Sequence, residues 1–436
     1  MRPQPPQPDR VKPRQLLIER ARAVLTANDM GSFFRPGREL YPHQWNWDSA
    51  FVALGLAQVD PERGRMEVRS LLKGQWSDGM VPHIVFHVAA PDYSPGPELW
   101  DSAACEHAPE VPTSGLTQPP VLATAVRVLH EASPDRSFLE EVVPALERWH
   151  EWLHRERGTD AGLVAIVHPW EGADNSPRFD RALARLQVDE GLEIERTDRR
   201  EIDASERPTD HDYVRYLYLV RRLQAQGYRP STLDDTPFVF VDLTFNSILA
   251  AAEADLAWLW GELGGDGARA SAAGRRLCDA LSDRWDEAEA VYVEDDGDRT
   301  TGDETIDAMF PLYAGVPQAE QARRLFDEAL WAPSRFGPSA EAPWPVTSAS
   351  KSGPAFDPRR YWRGPVWVNV NWFFVQGLER SGLQAEADEL RRMTLELVSR
   401  SGFFEYYDPR SGEPLGVSDF SWSAALTLDL LLRSSA

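Results

Sequence analysis

His168-Pro-Trp-Glu-Gly-Ala-Asp174-Asn-Ser-Pro-Arg178-Phe-Asp180 lies between two regions of helical periodicity. Pro169, Gly172 and Pro177 break any regular helix within it, so the segment is a connection between helices. Trp170, Glu171, Asp174, Asn175, Ser176 and Arg178 are crowded into it. Such a loop offers an aromatic face for a sugar ring, polar partners for its hydroxyls and a carboxyl for a scissile oxygen. The same residues also admit a plain surface turn in which Asp174 pairs with Arg178 at i,i+4 spacing.

The composition is that of an ordinary globular chain: 436 residues, 42% hydrophobic and 26% charged. A net charge of −23 excludes a nucleic-acid backbone as the natural partner. It says little about a small anionic ligand, which responds to a few local arginines. No apolar run reaches the roughly 18 residues that a membrane helix needs. Residues 1–13 are Pro- and Gln-rich, neither a signal peptide nor an ordered element, so a tail is expected there and one domain over 14–436. Cys105 and Cys278 are the only cysteines, which suits two free thiols and a cytoplasmic setting. The chain also has 16 tryptophans, several beside polar motifs where sugar rings stack.

Helical spacing of apolar residues recurs on either side of the loop. It predicts helices over 14–28, from Asp48 through Gln58, over 61–74, after Pro120, and from Asp135 through Trp152. Further helices are expected from about Tyr213 to Gly227, over 237–262, up to Trp285, over 318–330, after Tyr361–Trp372, over 383–400, and from Phe420 to the end. Met80–His87 reads as extended, so His83 and His87 are not a helical metal pair despite their spacing. Residues 88–112 form a long Pro- and Gly-rich connection suited to a rim or lid, with Tyr93 in it. Residues 188–206 are an acidic, Arg-containing connector. Glu294-Asp-Asp-Gly-Asp298 lacks the alternation and closing Glu of a calcium loop, and a solvated turn is expected. Twelve helices with few strands suggest an all-α double ring, an (α/α)6 barrel whose long loops form a cleft at one end.

Six segments at element boundaries carry aromatic and polar residues together: Tyr41–Asp48, Thr113–Pro120, Trp170–Phe179, Arg207–Tyr216, Tyr361–Trp372 and Phe404–Pro409. Within and beside them stand Gln44-Trp-Asn-Trp-Asp48-Ser-Ala-Phe51, Ser114-Gly-Leu-Thr-Gln118-Pro-Pro120, Asp174-Asn-Ser-Pro-Arg178, Tyr361-Trp-Arg-Gly-Pro-Val-Trp367 and Phe420-Ser-Trp-Ser-Ala-Ala425. In these motifs, over nearly the whole chain after about residue 14, the sequence resembles the (α/α)6 glycoside hydrolases of family 63. It is most similar to the bacterial branch acting on mannosylglycerate or glucosylglycerate.

The resemblance implies an inverting α-glycosidase with Asp174 as general acid and Glu405 as general base. It implies sugar contacts from Trp45, Trp47, Asp48, Trp170, Trp362 and Trp367, and glycerate contacts from Tyr41, Tyr93, Gln118, Arg207, Tyr213 and Tyr361. The expected partner is a small carbohydrate; no metal or cofactor is implied, and homo-oligomerisation is left open. A guanidinium suits a carboxylate through two parallel hydrogen bonds, while Arg207 could equally pair with Asp210 or Asp212 at its own helix start. Ser418-Asp419 departs from the family pattern, which has an amide before Phe-Ser-Trp, and a second carboxylate near an anionic aglycone would repel it unless protonated or turned away. Other readings are an α-glucosidase on a neutral disaccharide or glycoside, a sugar epimerase on the same barrel, and a non-catalytic sugar-binding protein. An epimerase needs a histidine pair, and none stands among these motifs.

Overall fold

The computed structural model describes residues 13–188, 196–200, 202–230, 232–294 and 304–433. Most of the expected tail, part of the 188–206 connector and most of the Glu294–Asp298 turn lie outside these residues. Fourteen α-helices are present among the described residues: α1 (Pro13–Asn28), α2 (Asn46–Ala57), α3 (Pro61–Leu72), α4 (Pro97–Trp100), α5 (Leu122–Ala132), α6 (Arg136–Arg157), α7 (Asp180–Ala184), α8 (Asp210–Gln224), α9 (Leu243–Glu262), α10 (Ala268–Ser282), α11 (Ala319–Leu325), α12 (Val368–Arg380), α13 (Gln384–Ser401) and α14 (Ser421–Leu432). Strands are confined to three antiparallel two-stranded ladders: β1 (Gln44–Trp45) with β2 (Ile84–Val85), β3 (Trp285–Asp286) with β4 (Val291–Tyr292), and β5 (Phe404–Tyr407) with β6 (Pro414–Ser418).

The burial pattern separates two layers. Every residue of α2 is buried, and α12 and α14 are buried all round from Val368 to Val375 and from Ser421 to Leu430. Helices without a polar face have neighbours on all sides. By contrast α1, α3, α6, α10 and α13 bury one stripe each, as Leu17, Ala21, Val24 and Leu25 do in α1. The inner members touch in one closed cycle: α2, α5, α9, the 3-10 segment Ile306–Leu312, α12, α14 and back to α2. Outer helices alternate with them along the chain, and α1 packs on α14 to close the seam. Gly55 of α2 permits the close approach of α2 and α14, because a Cβ there would lie 2.3 Å from the Ala425 carbonyl oxygen. One hydrophobic cluster runs from Leu17 to Leu430.

The double ring agrees with the sequence reading, but one member differs. Helix α8 belongs to neither ring, and the sixth inner place is taken by Ile306–Leu312, whose Pro311 and short length hide it from a 3.6-residue period. The helix expected over 237–262 starts only at Leu243. Phe240 exchanges backbone hydrogen bonds with Ile166 (2.9 and 3.0 Å), and the Asp242 side chain caps α9 at Phe245 N. The helix expected over 318–330 becomes a π-turn at Phe326–Leu330. No described helix is long and apolar enough to cross a membrane. Cys105 and Cys278 are free thiols.

Candidate active site

The boundary segments converge on one cleft that is open at its mouth. Tyr41, Trp45, Trp47 and Asp48 line it from the start of α2, and Gln118 from the turn before α5. Trp170 and Asp174 come from the loop after α6, Arg207 and Tyr213 from the start of α8, Tyr361 and Trp362 from the segment before α12, and Glu405 from β5. Tyr93 arrives from the 88–112 connection, whose expected place at the rim agrees with this. Trp367 does not line the cleft. It is wholly buried behind Trp362, the two rings parallel within 3° at 3.9 Å, so it backs that wall of the cleft.

The loop that presents Asp174 is held by its neighbours. Buried Glu171 accepts two hydrogen bonds from Arg157 (3.0 and 3.0 Å), one from Val167 N at 2.7 Å and one from Thr117 N at 3.3 Å. Asn175 takes the left-handed backbone region (φ 68°), where Asn is among the better-tolerated residues. Arg178 turns away from Asp174, contrary to the pair the sequence admitted. Its guanidinium is buried against Asp242 (2.7 Å), Glu294 (2.8 Å) and Asp307 (2.8 Å), anchoring the loop to the start of α9. Asp174 is left facing the cleft, and burial pushes its carboxyl up to about 7, with Arg207 opposing and Glu405 adding.

Glu405 stands at a register shift between β5 and β6, a β-bulge of the kind that re-aims a side chain. Its Oε1 accepts from the Tyr41 hydroxyl at 2.8 Å, its Oε2 from Val417 N at 3.3 Å, and Arg207 Nη1 lies 3.5 Å from Oε2. Opposite, Gly416 adopts φ 67°, and a Cβ there would meet Oε2 at 2.6 Å, so only a hydrogen fits. Burial raises the Glu405 carboxyl above its ordinary range, while Arg207, Tyr41 and Val417 N pull it back. The donors around Glu405 favour its ionised form.

Arg207 is buried, but its partners are neither Asp210 nor Asp212. Asp210 is held by Arg196 and Arg199, and Asp212 forms a capping box with Thr209. Arg207 instead contacts Asp198 (Nε–Oδ2, 3.3 Å) and donates to the Tyr41 hydroxyl (Nη2, 3.1 Å), with its guanidinium 4.3 Å over the Tyr361 ring. Its Nη1 is buried with no hydrogen-bond partner among the described residues.

Several lining residues went unmarked in the sequence, among them His83, Asp198, Phe420 and Trp422. Phe420 and Trp422 were visible in their motif without a role. Asp198 sits in the connector with no motif to single it out. Asp419 is exposed and absent from the lining, so the departure at that position does not bring a carboxylate into the cleft. His83 and His87 bond separately to Ser114 Oγ (2.7 Å) and Gln44 Oε1 (2.7 Å). Among the described residues no group of three or more His, Cys, Asp or Glu could hold a metal ion.

An aromatic-walled cleft into which Asp48, Asp174, Asp198 and Glu405 bring carboxyls is equipped for acid–base cleavage of a glycosidic bond. Comparison with known proteins agrees. Residues 41–423 match the family described as the mannosylglycerate hydrolase MGH1-like glycoside hydrolase domain. The chain is 43% identical to a mannosylglycerate hydrolase of Thermus thermophilus, over 93% of this chain and 98% of that one. It is 36% identical to a glucosylglycerate hydrolase of Mycolicibacterium hassiacum, over 95% and 97%. The crystal structure of a family 63 mannosylglycerate hydrolase from Thermus thermophilus, in complex with Tris and D-glycerate, superposes with a TM-score of 0.88 at 41% identity, covering 95% of this chain and 99% of that one. The chain belongs to the mannosylglycerate hydrolase-like branch of glycoside hydrolase family 63.

Proposed function

We propose that this glycoside hydrolase cleaves an α-hexosyl glycerate, mannosylglycerate or glucosylglycerate, with inversion at the anomeric carbon. The Asp174 carboxyl gives its proton to the glycosidic oxygen as the bond to C1 breaks. Glu405 takes a proton from a water that attacks C1 from the opposite face. Free hexose and glycerate leave, Glu405 releases its proton to solvent and Asp174 regains one, which restores both groups. The observation that carries this reading is the placing of both carboxyls in one aromatic-walled cleft, Asp174 lifted to about 7 by burial and Glu405 supplied with donors from Tyr41 and Val417 N. Trp45, Trp47, Asp48, Trp170 and Trp362 would hold the hexose, with Trp367 supporting Trp362. Tyr93, Gln118, Arg207, Tyr213 and Tyr361 would hold the aglycone.

Buried Arg207, whose Nη1 makes no hydrogen bond beyond its 3.5 Å approach to Glu405 Oε2, supports an anionic aglycone, because a guanidinium can bind a carboxylate through parallel hydrogen bonds. Purified protein incubated with synthetic mannosylglycerate and glucosylglycerate should release hexose, and proton NMR of fresh product should show the β-anomer first. Faster turnover of neutral α-hexosides would remove glycerate from the reading. An α-anomer released first would remove inversion.

A further inference from the structure

Asp198 lines the cleft beside Arg207, yet neither acid nor base chemistry calls for it. It is gripped from behind by Arg196, which donates Nε to Oδ1 (2.8 Å) and Nη2 to Oδ2 (2.8 Å). Arg196 is fixed in turn by the Pro208 carbonyl (3.0 Å), by Asp210 (3.1 Å) and by the Tyr213 ring 4.3 Å away. From the front, Asp198 Oδ2 accepts Arg207 Nε at 3.3 Å. Arg207 then continues through the Tyr41 hydroxyl to Glu405 Oε1, a row of four polar groups ending on the base.

Arg207 is therefore one cation placed between two carboxylates, and an incoming substrate carboxylate would be a third claimant. We propose that Asp198 is a specificity-determining positioning residue, metering how Arg207 divides its charge between Glu405 and an anionic substrate. This rests on the reading of an α-hexosyl glycerate as substrate. Were Asp198 neutral, Arg207 would close on Glu405, now 3.5 Å from its Nη1, and would also attract the substrate carboxylate more strongly. Tight binding of the anion and strength of the base are thus opposed, and Asp198 sets the balance. The ionisable groups facing Glu405 are Arg207, Tyr41, Tyr361, Tyr406, Asp174 and Asp48. Those facing Asp198 are Arg196, Arg207, Tyr93, Tyr213 and Asp174.

The test uses two variants with opposite expected signs, each assayed on glucosylglycerate and on neutral glucosylglycerol across pH. Asp198→Asn keeps shape and removes charge. The ratio of KM on the charged substrate to KM on the neutral one should fall by about three- to tenfold. Its kcat should fall, and the acidic limb of kcat/KM should move to lower pH by about half a unit or more. Arg196→Gln leaves Asp198 leaning on Arg207 alone, so the KM ratio should rise and the limb should move to higher pH. Should Asp198→Asn fail to fold, Arg196→Gln alone carries the test. Loss of packing would change both KM values together and leave the limb in place. If wild-type protein prefers glucosylglycerate but folded variants leave the ratio and the limb unmoved, the role of Asp198 is wrong. If wild-type protein prefers glucosylglycerol, it is the substrate reading that fails.

Discussion

The Tyr41 hydroxyl donates to Glu405 Oε1 at 2.8 Å across a sequence separation of 364 residues. That bond favours the ionised carboxylate, the form that can take a proton from water. Tyr41→Phe removes the donor and should raise the affinity of Glu405 for its proton. The acidic limb of kcat/KM should therefore shift to higher pH. With a hydrogen bond to a charged group worth about 1.5–3 kcal/mol, kcat should drop by roughly ten- to a hundredfold. An unmoved acidic limb would take Tyr41 out of the chemistry.

Asp174→Asn should abolish turnover, with kcat reduced by about a hundredfold or more, because the leaving oxygen then departs without a proton. The same variant should be more heat-stable than wild type at pH 8. Burial raises the folded-state carboxyl from 3.8 to about 7, so between those values the folded protein holds a proton that the unfolded chain has lost. Stability contributed by this group therefore falls as pH rises through that window, and an amide escapes the penalty. Thermal unfolding of both proteins at pH 5 and pH 8 checks the sign. A melting temperature lower than wild type at pH 8 would contradict it.

Gly416→Ala puts a methyl carbon 2.6 Å from Glu405 Oε2 and forces a side chain into φ 67°. Left-handed strain costs of order 1–3 kcal/mol, so the fold should survive with a lower melting temperature. Displacement of the base should lower kcat by about tenfold or more. Kinetics beside calorimetry separate the two effects, and a stability loss with intact kcat would show that the carboxylate had moved without consequence.

Arg178→Gln strips the counter-charge from Asp242, Glu294 and Asp307 beneath the Asp174 loop. Breaking such a buried group costs about 3–5 kcal/mol. Burial already lifts Glu294 to about 8 and raises Asp242 even with the arginine in place. Without it these carboxyls should hold protons more readily, so acid relieves the defect. Denaturant unfolding should show a smaller deficit at pH 5 than at pH 8; a deficit independent of pH would mean that packing dominates.

Much of this arrangement was legible because polar–aromatic residues at helix starts have no packing role that would place them there. The loop around Asp174 stood out on that ground, whereas Glu405, on β5, was singled out only through the family resemblance. Trp367 shows where the logic stops: motif membership does not tell which of two stacked rings faces the ligand and which lies behind. Ile306–Leu312 escaped because a 3-10 turn with an internal proline carries no 3.6-residue stripe. The partners of Arg207 escaped for another reason. Asp210 and Asp212 are its near neighbours in sequence, whereas Asp198 meets it from nine positions earlier, in a connector with no motif to mark it.

The seam where α14 meets α1 and α2 also bears on the order in which the ring assembles. Local pairs such as α9 with α10 close short loops, whereas the contact of Ser421–Leu432 with α1 and α2 joins segments far apart in sequence and carries the larger loop-closure cost. The hydrogen bond from Tyr41 to Glu405 spans a comparable separation, so it too waits on that long-range closure.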